Sequence, residues 1–392
     1  MEDPATIPFA RPPGEDEERK ACLAIDPPGF HIRHPPPPHM LKDFITPDDL
    51  LFETIHMGPA VVDPEKWLLV IDGLVRHPFA LTLPQLKQLP RTTLTAFHEC
   101  YGSPLLDPYP TNALWRVGNV VWTGVRLSSL LDLAAPLPRA AFVWSEGLDR
   151  GAFAGVQADR YQKDVPMGEA RGGEALVAYE MNGAPLRRER GGPVRLVVPG
   201  WFGTNMTKWL CRLSARPARA PSPFTTRWYN ESVLAVPLAA SMSGGVDGAG
   251  GGAVAEELAV VRRPVWAVEP NSMIVDPPPD TRVLLLTGRR DGVAGGGEGG
   301  SADVVVSGWA WSHDGIASVR VCADDGADGG WVDADVADRV DYSWQAFRAK
   351  LVLPVGRYGV VARAMSKGGV EQPMHGRRNH VHRIGLEVVG GP

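Results

Sequence analysis

Cys100 stands at the end of a strand-like run, TLTAF, and opens the glycine- and proline-containing loop HECYGSPLLDP. A thiol on a loop carried by a rigid strand is where nucleophiles and metal ligands commonly sit. The plainer reading of any single cysteine is a small buried apolar group, and Cys22, Cys211 and Cys322 are read that way. A second concentration of chemistry is ALVAYEMNGAPLRRERGGPVRLVVPGWFGTNMTKWLCRLS, residues 175–214, with Arg187, Arg188, Arg190, Arg195 and Lys208. Forked guanidinium groups and a point-charge ammonium at this density suit the capture of a phosphate or another anion. A solvated basic hairpin is the ordinary alternative. His31, His34 and His39, in HIRHPPPPHM, raise the question of a metal site. The prolines between them keep the backbone extended and no carboxylate or cysteine lies close by, so a plain arm is expected.

The elements that must position these residues follow from pattern. WLLVIDGLV (67–75) reads as a short buried strand closed by Asp-Gly, followed by a capped helix signal in TLPQLKQLP. NVVWTGVRLSSLLDLA predicts a strand, a turn at Thr123–Gly124 and a leucine-spaced helix over 127–133. Further strands are expected at 141–145, 175–179 and 194–199, so residues 45–230 read as one mixed α/β unit. MSGGVDGAGGGAVAEE (242–257) is a linker composition. Beyond it seven strand candidates, from MIVDPPP to HVHRIGLEVV, are separated by Gly, Asp and Pro turns and predict a β-sandwich. The run GVAGGGEGG (292–300) is read as a loop of that sandwich, because no Lys-Ser/Thr follows to make it a phosphate cradle.

The whole chain is 392 residues, 44% hydrophobic and 22% charged, which suits two globular domains rather than a disulfide scaffold or a disordered chain. Forty Lys and Arg against 45 Asp and Glu leave a formal charge of −5, too balanced for a nucleic-acid binder. Glycine (44) and proline (37) are abundant and point to a β-rich architecture. The N-terminus lacks the basic start and apolar run of a signal peptide, no stretch is long enough to span a membrane, and VVGGP is not a peroxisomal tag. A soluble cytoplasmic protein without a membrane partner is the expectation.

The run AYEMNGAPLRRERGGPVRLVVPGWFGTNMTKWL closely resembles the signature of the sulfite oxidase family of molybdenum enzymes, which also includes eukaryotic assimilatory nitrate reductases. The resemblance extends to DFITPDDLLFETIH, to the Cys100 loop with NVVWTGVRLSSLL after it, and to the GWAWS and HVHRI strands, covering residues 40–390. It implies an α+β chain. On the same resemblance an N-terminal arm (1–42) would precede a mixed α/β molybdopterin-binding domain (43–235), a glycine-rich linker (236–270) and an immunoglobulin-like sandwich (271–392) that would make a homodimer. Cys100 would be the thiolate ligand of molybdenum beside the pterin dithiolene; a soft thiolate suits a redox metal, which would keep it deprotonated. His56, Arg190, Arg195 and Lys208 would bind the pterin and its phosphate, Arg190 standing where many relatives have histidine. Tyr229 matches the active-site tyrosine, with Trp228 in place of its usual preceding acid.

The resemblance implies oxygen-atom transfer, with sulfite to sulfate as the default. It departs from the family at the arginines that hold a small dianion: Thr54 and Leu105 occupy two of those positions, and Arg377 or Arg378 are the candidates for the third. A less anionic sulfur or nitrogen oxide is therefore the rival substrate. The chain has HPPPPH and HPF but no His-Pro-Gly-Gly haem motif, so no haem is expected and electrons must pass to oxygen, a cytochrome or another external carrier. A non-catalytic cofactor-binding module is the alternative from a different class, disfavoured by the presence of both Cys100 and Tyr229. An extracellular adhesion role fits neither the expected lack of disulfides nor the N-terminus.

Overall fold

The computed structural model describes residues 10–103, 115–235, 259–285, 300–324 and 330–390. Leu105 and most of the glycine runs at 242–257 and 292–300 lie outside the described residues. Two five-stranded sheets dominate the first part of the chain. One runs in the order Gln162–Pro166, Phe142–Gly147, Leu210–Arg216, Leu68–Gly73 and Phe79–Thr82, with Leu210–Arg216 parallel to Leu68–Gly73 and the remaining pairs antiparallel. The other runs Ala184–Pro185, Leu176–Met181, Val117–Arg126 and Arg91–Glu99, with Arg195–Val197 also pairing on Leu176–Met181.

Helices are few and short. Leu83–Leu86 begins at Thr82, whose hydroxyl accepts from the Gln85 backbone N–H while the Gln85 side chain accepts from the Thr82 N–H. Leu127–Ala134 buries Leu127, Leu130, Leu131 and Ala134, the i, i+3, i+4 stripe that its leucine spacing implies. That stripe shares a core with Trp67, with Leu69 and Ile71 of one sheet and with Val125, Val177 and Leu196 of the other.

The expected turn at Thr123–Gly124 does not form, and the strand Val117–Arg126 runs straight through it. Gly124 pairs with Ala178. A Cβ there would lie 2.2 Å from the Val177 carbonyl oxygen. Glycine therefore serves close approach of two strands, beside the register shift between Ala178 and Glu180, rather than a change of direction.

The N-terminal residues are stitched onto this body. Cys22–Ile25 pairs with Ala60–Val62, and His31–Arg33 pairs with Glu53–Ile55. Glu18, fully buried, is held by Arg212 at 2.7 Å.

All seven strand candidates of the last third form strands, arranged as two sheets. Asn271–Asp276, Ser301–Trp311, Gln345–Pro354 and Asp335–Val336 make one. Thr281–Leu284, Arg383–Val389, Gly356–Ser366, Ile316–Ala323 and Val332–Asp333 make the other. In Gln345–Pro354 burial alternates from Phe347 to Pro354, the period-two pattern of a strand with one face in a core. Val306, Val319, Val321, Phe347, Val360 and Ile384 form that core. A tryptophan-rich cluster of Trp115, Trp309, Trp311 and Trp344 with Phe97 and Phe202 joins the sandwich to the first part. Among the described residues no helix is long and apolar enough to cross a membrane.

Candidate active site

The strand Arg91–Glu99 carries Cys100 on its end. The Cys100 N–H donates to the Arg116 carbonyl at 2.9 Å, the Ser103 N–H to the Cys100 carbonyl at 3.1 Å, and the Arg116 N–H to Ser103 Oγ at 3.0 Å. These bonds fix a tight corner between two paired strands. Behind it the buried Glu99 carboxylate accepts from Trp311 Nε1 at 2.8 Å and faces Arg378 at 3.5 Å, which pins the corner to the sandwich. Burial pushes the Glu99 carboxyl up to about 7 against the opposing pull of Arg378.

Cys100 opens into a cavity whose walls include all six residues expected to do chemistry: His56, Cys100, Arg190, Arg195, Lys208 and Tyr229. The strand Glu53–Ile55 brings Thr54 to this cavity, where its hydroxyl points at Cys100 Sγ at 3.7 Å. His56 Nε2 and the Tyr229 hydroxyl share a short hydrogen bond. Around that pair stand Phe153, edge-on to His56 at 4.7 Å, and Tyr161, stacked at 5.3 Å. Burial first, then Lys208 and Lys163, lower His56 to about 3, so the imidazole is neutral. Burial and the proximity of Cys100 push the Tyr229 phenol well above its ordinary range, so it keeps its proton. Tyr229 also holds φ at 58°, a left-handed backbone that a bulky residue rarely adopts outside sites that over-determine it.

The basic segment divides by task. Arg187 and Arg188 are exposed and pair with Asp48 and Glu189. Arg190 is 3% exposed and its fork is committed to Asp48 Oδ1 and to the carbonyls of Asp48, Leu51 and Phe52. It holds the segment that leads to Thr54 and His56. Arg195, 1% exposed, donates to the Arg190 carbonyl at 3.0 Å and lies over the Trp122 ring. Its Nε has no partner among the described residues, and burial with the nearby Arg190 lowers the guanidinium to about 9. Lys208 reaches the Glu189 carbonyl at 2.8 Å and the Thr54 carbonyl at 3.3 Å, and burial with Arg195 lowers it to about 7. Neither Arg195 nor Lys208 forms an ion pair among the described residues. Glu53 and Asp149 stand in the same wall, yet neither makes a direct ion pair with these two cations, an arrangement that leaves them able to take an anion.

The cavity and its edge hold residues that sequence reasoning did not single out. Arg116 lies 3.9 Å from Cys100 Sγ. Asp149, 3% exposed with one carboxyl oxygen unpartnered, is pushed up to about 7 by burial. Lys163, fully buried outside the lining, donates to the Phe224 carbonyl at 3.0 Å and lies 5.5 Å from the Tyr229 ring centre. The pairing of the two strands that flank Cys100 is the signal that would have found Arg116. Asp149 and Lys163 are distant in sequence from the motifs and carry no local mark. Of the two arginines expected from the sandwich, Arg377 is exposed and pairs with Glu269. Arg378 donates to the Ser103 carbonyl at 3.0 Å, behind the Cys100 corner and outside the cavity lining.

Residues 56–224 match the family described as the oxidoreductase molybdopterin binding domain. The chain is 28% identical over 393 residues to mitochondrial sulfite oxidase of Homo sapiens, covering 94% of this chain and 64% of that protein. It is 31% identical over 241 residues to sulfite oxidase of Gallus gallus, covering 58% of this chain and 50% of that one. The chain thus spans less than two thirds of the length of either relative. Among solved structures it is similar to the sulfane dehydrogenase SoxCD from Paracoccus pantotrophus, with a TM-score of 0.69 and 25% identity over 92% of this chain and 88% of that one. Residues 56–224 thus carry an oxidoreductase molybdopterin binding domain, and the chain is similar in sequence to sulfite oxidases and in fold to a sulfane dehydrogenase over most of its length.

Proposed function

We propose that this chain is an oxidoreductase that holds molybdenum on a pterin dithiolene and acts on a small sulfur oxyanion, with sulfite to sulfate as the reference reaction. The observation that carries the reading is the meeting of Cys100 Sγ with Arg195 and Lys208, cations outside any direct ion pair among the described residues, in one cavity. The residues fit the group: Arg195 and Lys208 would take the cofactor's phosphate, His56 its pterin, and Cys100 would give the metal a soft ligand. When bound, that group supplies two-electron redox chemistry coupled to oxygen-atom transfer.

The chain's own residues orient and shield. Arg190 fixes the backbone that presents Thr54 and His56. The neutral pair of His56 and Tyr229 offers a hydroxyl whose proton stays in place over the working pH range. Phe153 and Tyr161 pack on His56 and keep water from that side. Adding a water-derived oxygen to sulfite releases two protons and two electrons, and an external carrier must accept the electrons. In this reading residues 43–235 bind the cofactor and the sandwich of residues 271–392 pairs with a second copy of the chain.

A second substrate reading, a less anionic sulfur or nitrogen oxide, is favoured by the Thr54 hydroxyl at the Cys100 sulfur, where a cation would serve a dianion better. Sulfite-dependent reduction of ferricyanide by purified protein, with Cys100→Ala as control, tests the proposal. Saturable turnover that disappears in the variant while the pterin is retained is expected. Molybdenum-loaded protein without sulfite turnover would move the assignment to the second reading, and wild-type protein that takes up no molybdenum would overturn both.

A further inference from the structure

The corner after Arg91–Glu99 brings one cation to the Cys100 sulfur. Glu99 pairs with Val117 across the antiparallel ladder, so Arg116, one residue before Val117, lies opposite Cys100. The Arg116 guanidinium stands 3.9 Å from Cys100 Sγ, and its side chain lines the cavity. Arg116 is 4% exposed, its Nε is buried without a partner, and it forms no ion pair among the described residues. A guanidinium held in this way has lost its water and gained no anion, a state that an entering oxyanion relieves.

The surrounding charge is otherwise spent or directed elsewhere. Arg378 donates to the Ser103 carbonyl, faces Glu99 and lies 4.4 Å from the Phe202 ring centre. Thr54 contributes a hydroxyl and no charge. Arg195 and Lys208 serve the cofactor in the reading above.

We infer that Arg116 anchors the anionic group of the substrate beside Cys100, and that the site selects a sulfur oxyanion of single negative charge over a dianion. The inference rests on the oxidoreductase reading. One planar fork matches one pair of oxygens, and beside Cys100 the described lining offers a second charge only the Thr54 hydroxyl, Arg190 being committed to Asp48 and Arg195 and Lys208 serving the cofactor.

The test is calorimetric titration of purified, cofactor-loaded protein with methanesulfonate, a monoanion, and with sulfate, a dianion of similar shape. Wild type, Arg116→Lys and Arg116→Gln are compared, with molybdenum measured in every sample. Wild type is expected to bind methanesulfonate about tenfold or more tightly than sulfate. Arg116→Gln is expected to lose about tenfold or more of that affinity and Arg116→Lys to recover part of it, at unchanged molybdenum content. Tighter binding of sulfate by wild type, or methanesulfonate binding by Arg116→Gln equal to wild type, would overturn the inference. The wild-type comparison decides even where a variant does not fold. Absence of molybdenum from wild type would instead overturn the oxidoreductase reading, while the same titrations still report whether Arg116 holds a monoanion.

Discussion

Replacing Lys208 by methionine keeps most of the stem and removes the charge. Burial and Arg195 lower Lys208 from 10.5 to about 7. At 1.36 kcal/mol per pH unit this disfavours the charged form by at most on the order of 5 kcal/mol. Lys208 is only half-buried and lines the cavity, and solvent screening reduces the effective cost to roughly half of that. The sign follows from linkage: between about 7 and 10.5 the unfolded chain carries a proton on Lys208 that the folded chain does not. The cofactor-free wild type therefore gains stability as pH rises through that window, and below about 7 it bears the full cost of the charged ammonium. Cofactor-free Lys208→Met is expected to be more stable than wild type by about 2 to 3 kcal/mol near pH 6, with the difference shrinking as pH rises toward 9. Urea unfolding of both proteins across that range measures it. In the loaded protein the order reverses, because an anion that pairs with Lys208 restores its charge and the variant holds the cofactor less tightly. Parallel stability curves for the two cofactor-free proteins, or a variant less stable in acid, would refute the reasoning.

Three further outcomes follow from the same geometry. Arg190→Met removes the donors to Asp48 and to the carbonyls of Leu51 and Phe52, and is expected to cost about 3 kcal/mol in urea unfolding, with Arg190→Lys recovering only part because an ammonium cannot span those acceptors. Glu99 is raised from 4.5 to about 7, so the folded chain keeps a proton that the unfolded chain has lost, and stability falls as pH rises through that window. Glu99→Gln is expected to flatten that part of the stability profile. Gly124→Ala, with its Cβ 2.2 Å from the Val177 carbonyl oxygen, is expected to cost about 2 kcal/mol or more and to lower the melting temperature.

The sandwich was the most legible part of the chain. Its strands are short, alternate in polarity and end at Gly, Asp or Pro, so local sequence alone marks them. Cys100, Arg195 and Lys208 were legible for another reason: each lies in or beside a run whose residue types already combine a soft ligand or anion-binding cations with loop chemistry. The misread turn at Thr123–Gly124 shows where local reading fails, because that glycine answers to a neighbouring strand and not to its own backbone. Arg190 looks like its basic neighbours in sequence, yet tertiary packing commits it to Asp48 and three carbonyls. Arg116 was invisible because its meaning depends on strand register, which sets it opposite Cys100. Asp149 and Lys163 reach the site or its edge only through folding of distant strands.

The claim on which everything else depends is that Cys100 ligates molybdenum in this cavity. X-ray absorption at the molybdenum edge, on wild type and Cys100→Ser with metal content measured in parallel, tests it most directly. The expected result is molybdenum stoichiometric with protein in wild type and one sulfur neighbour fewer around the metal in Cys100→Ser. An unchanged sulfur shell in the variant, or wild-type protein that carries no molybdenum, would contradict the account.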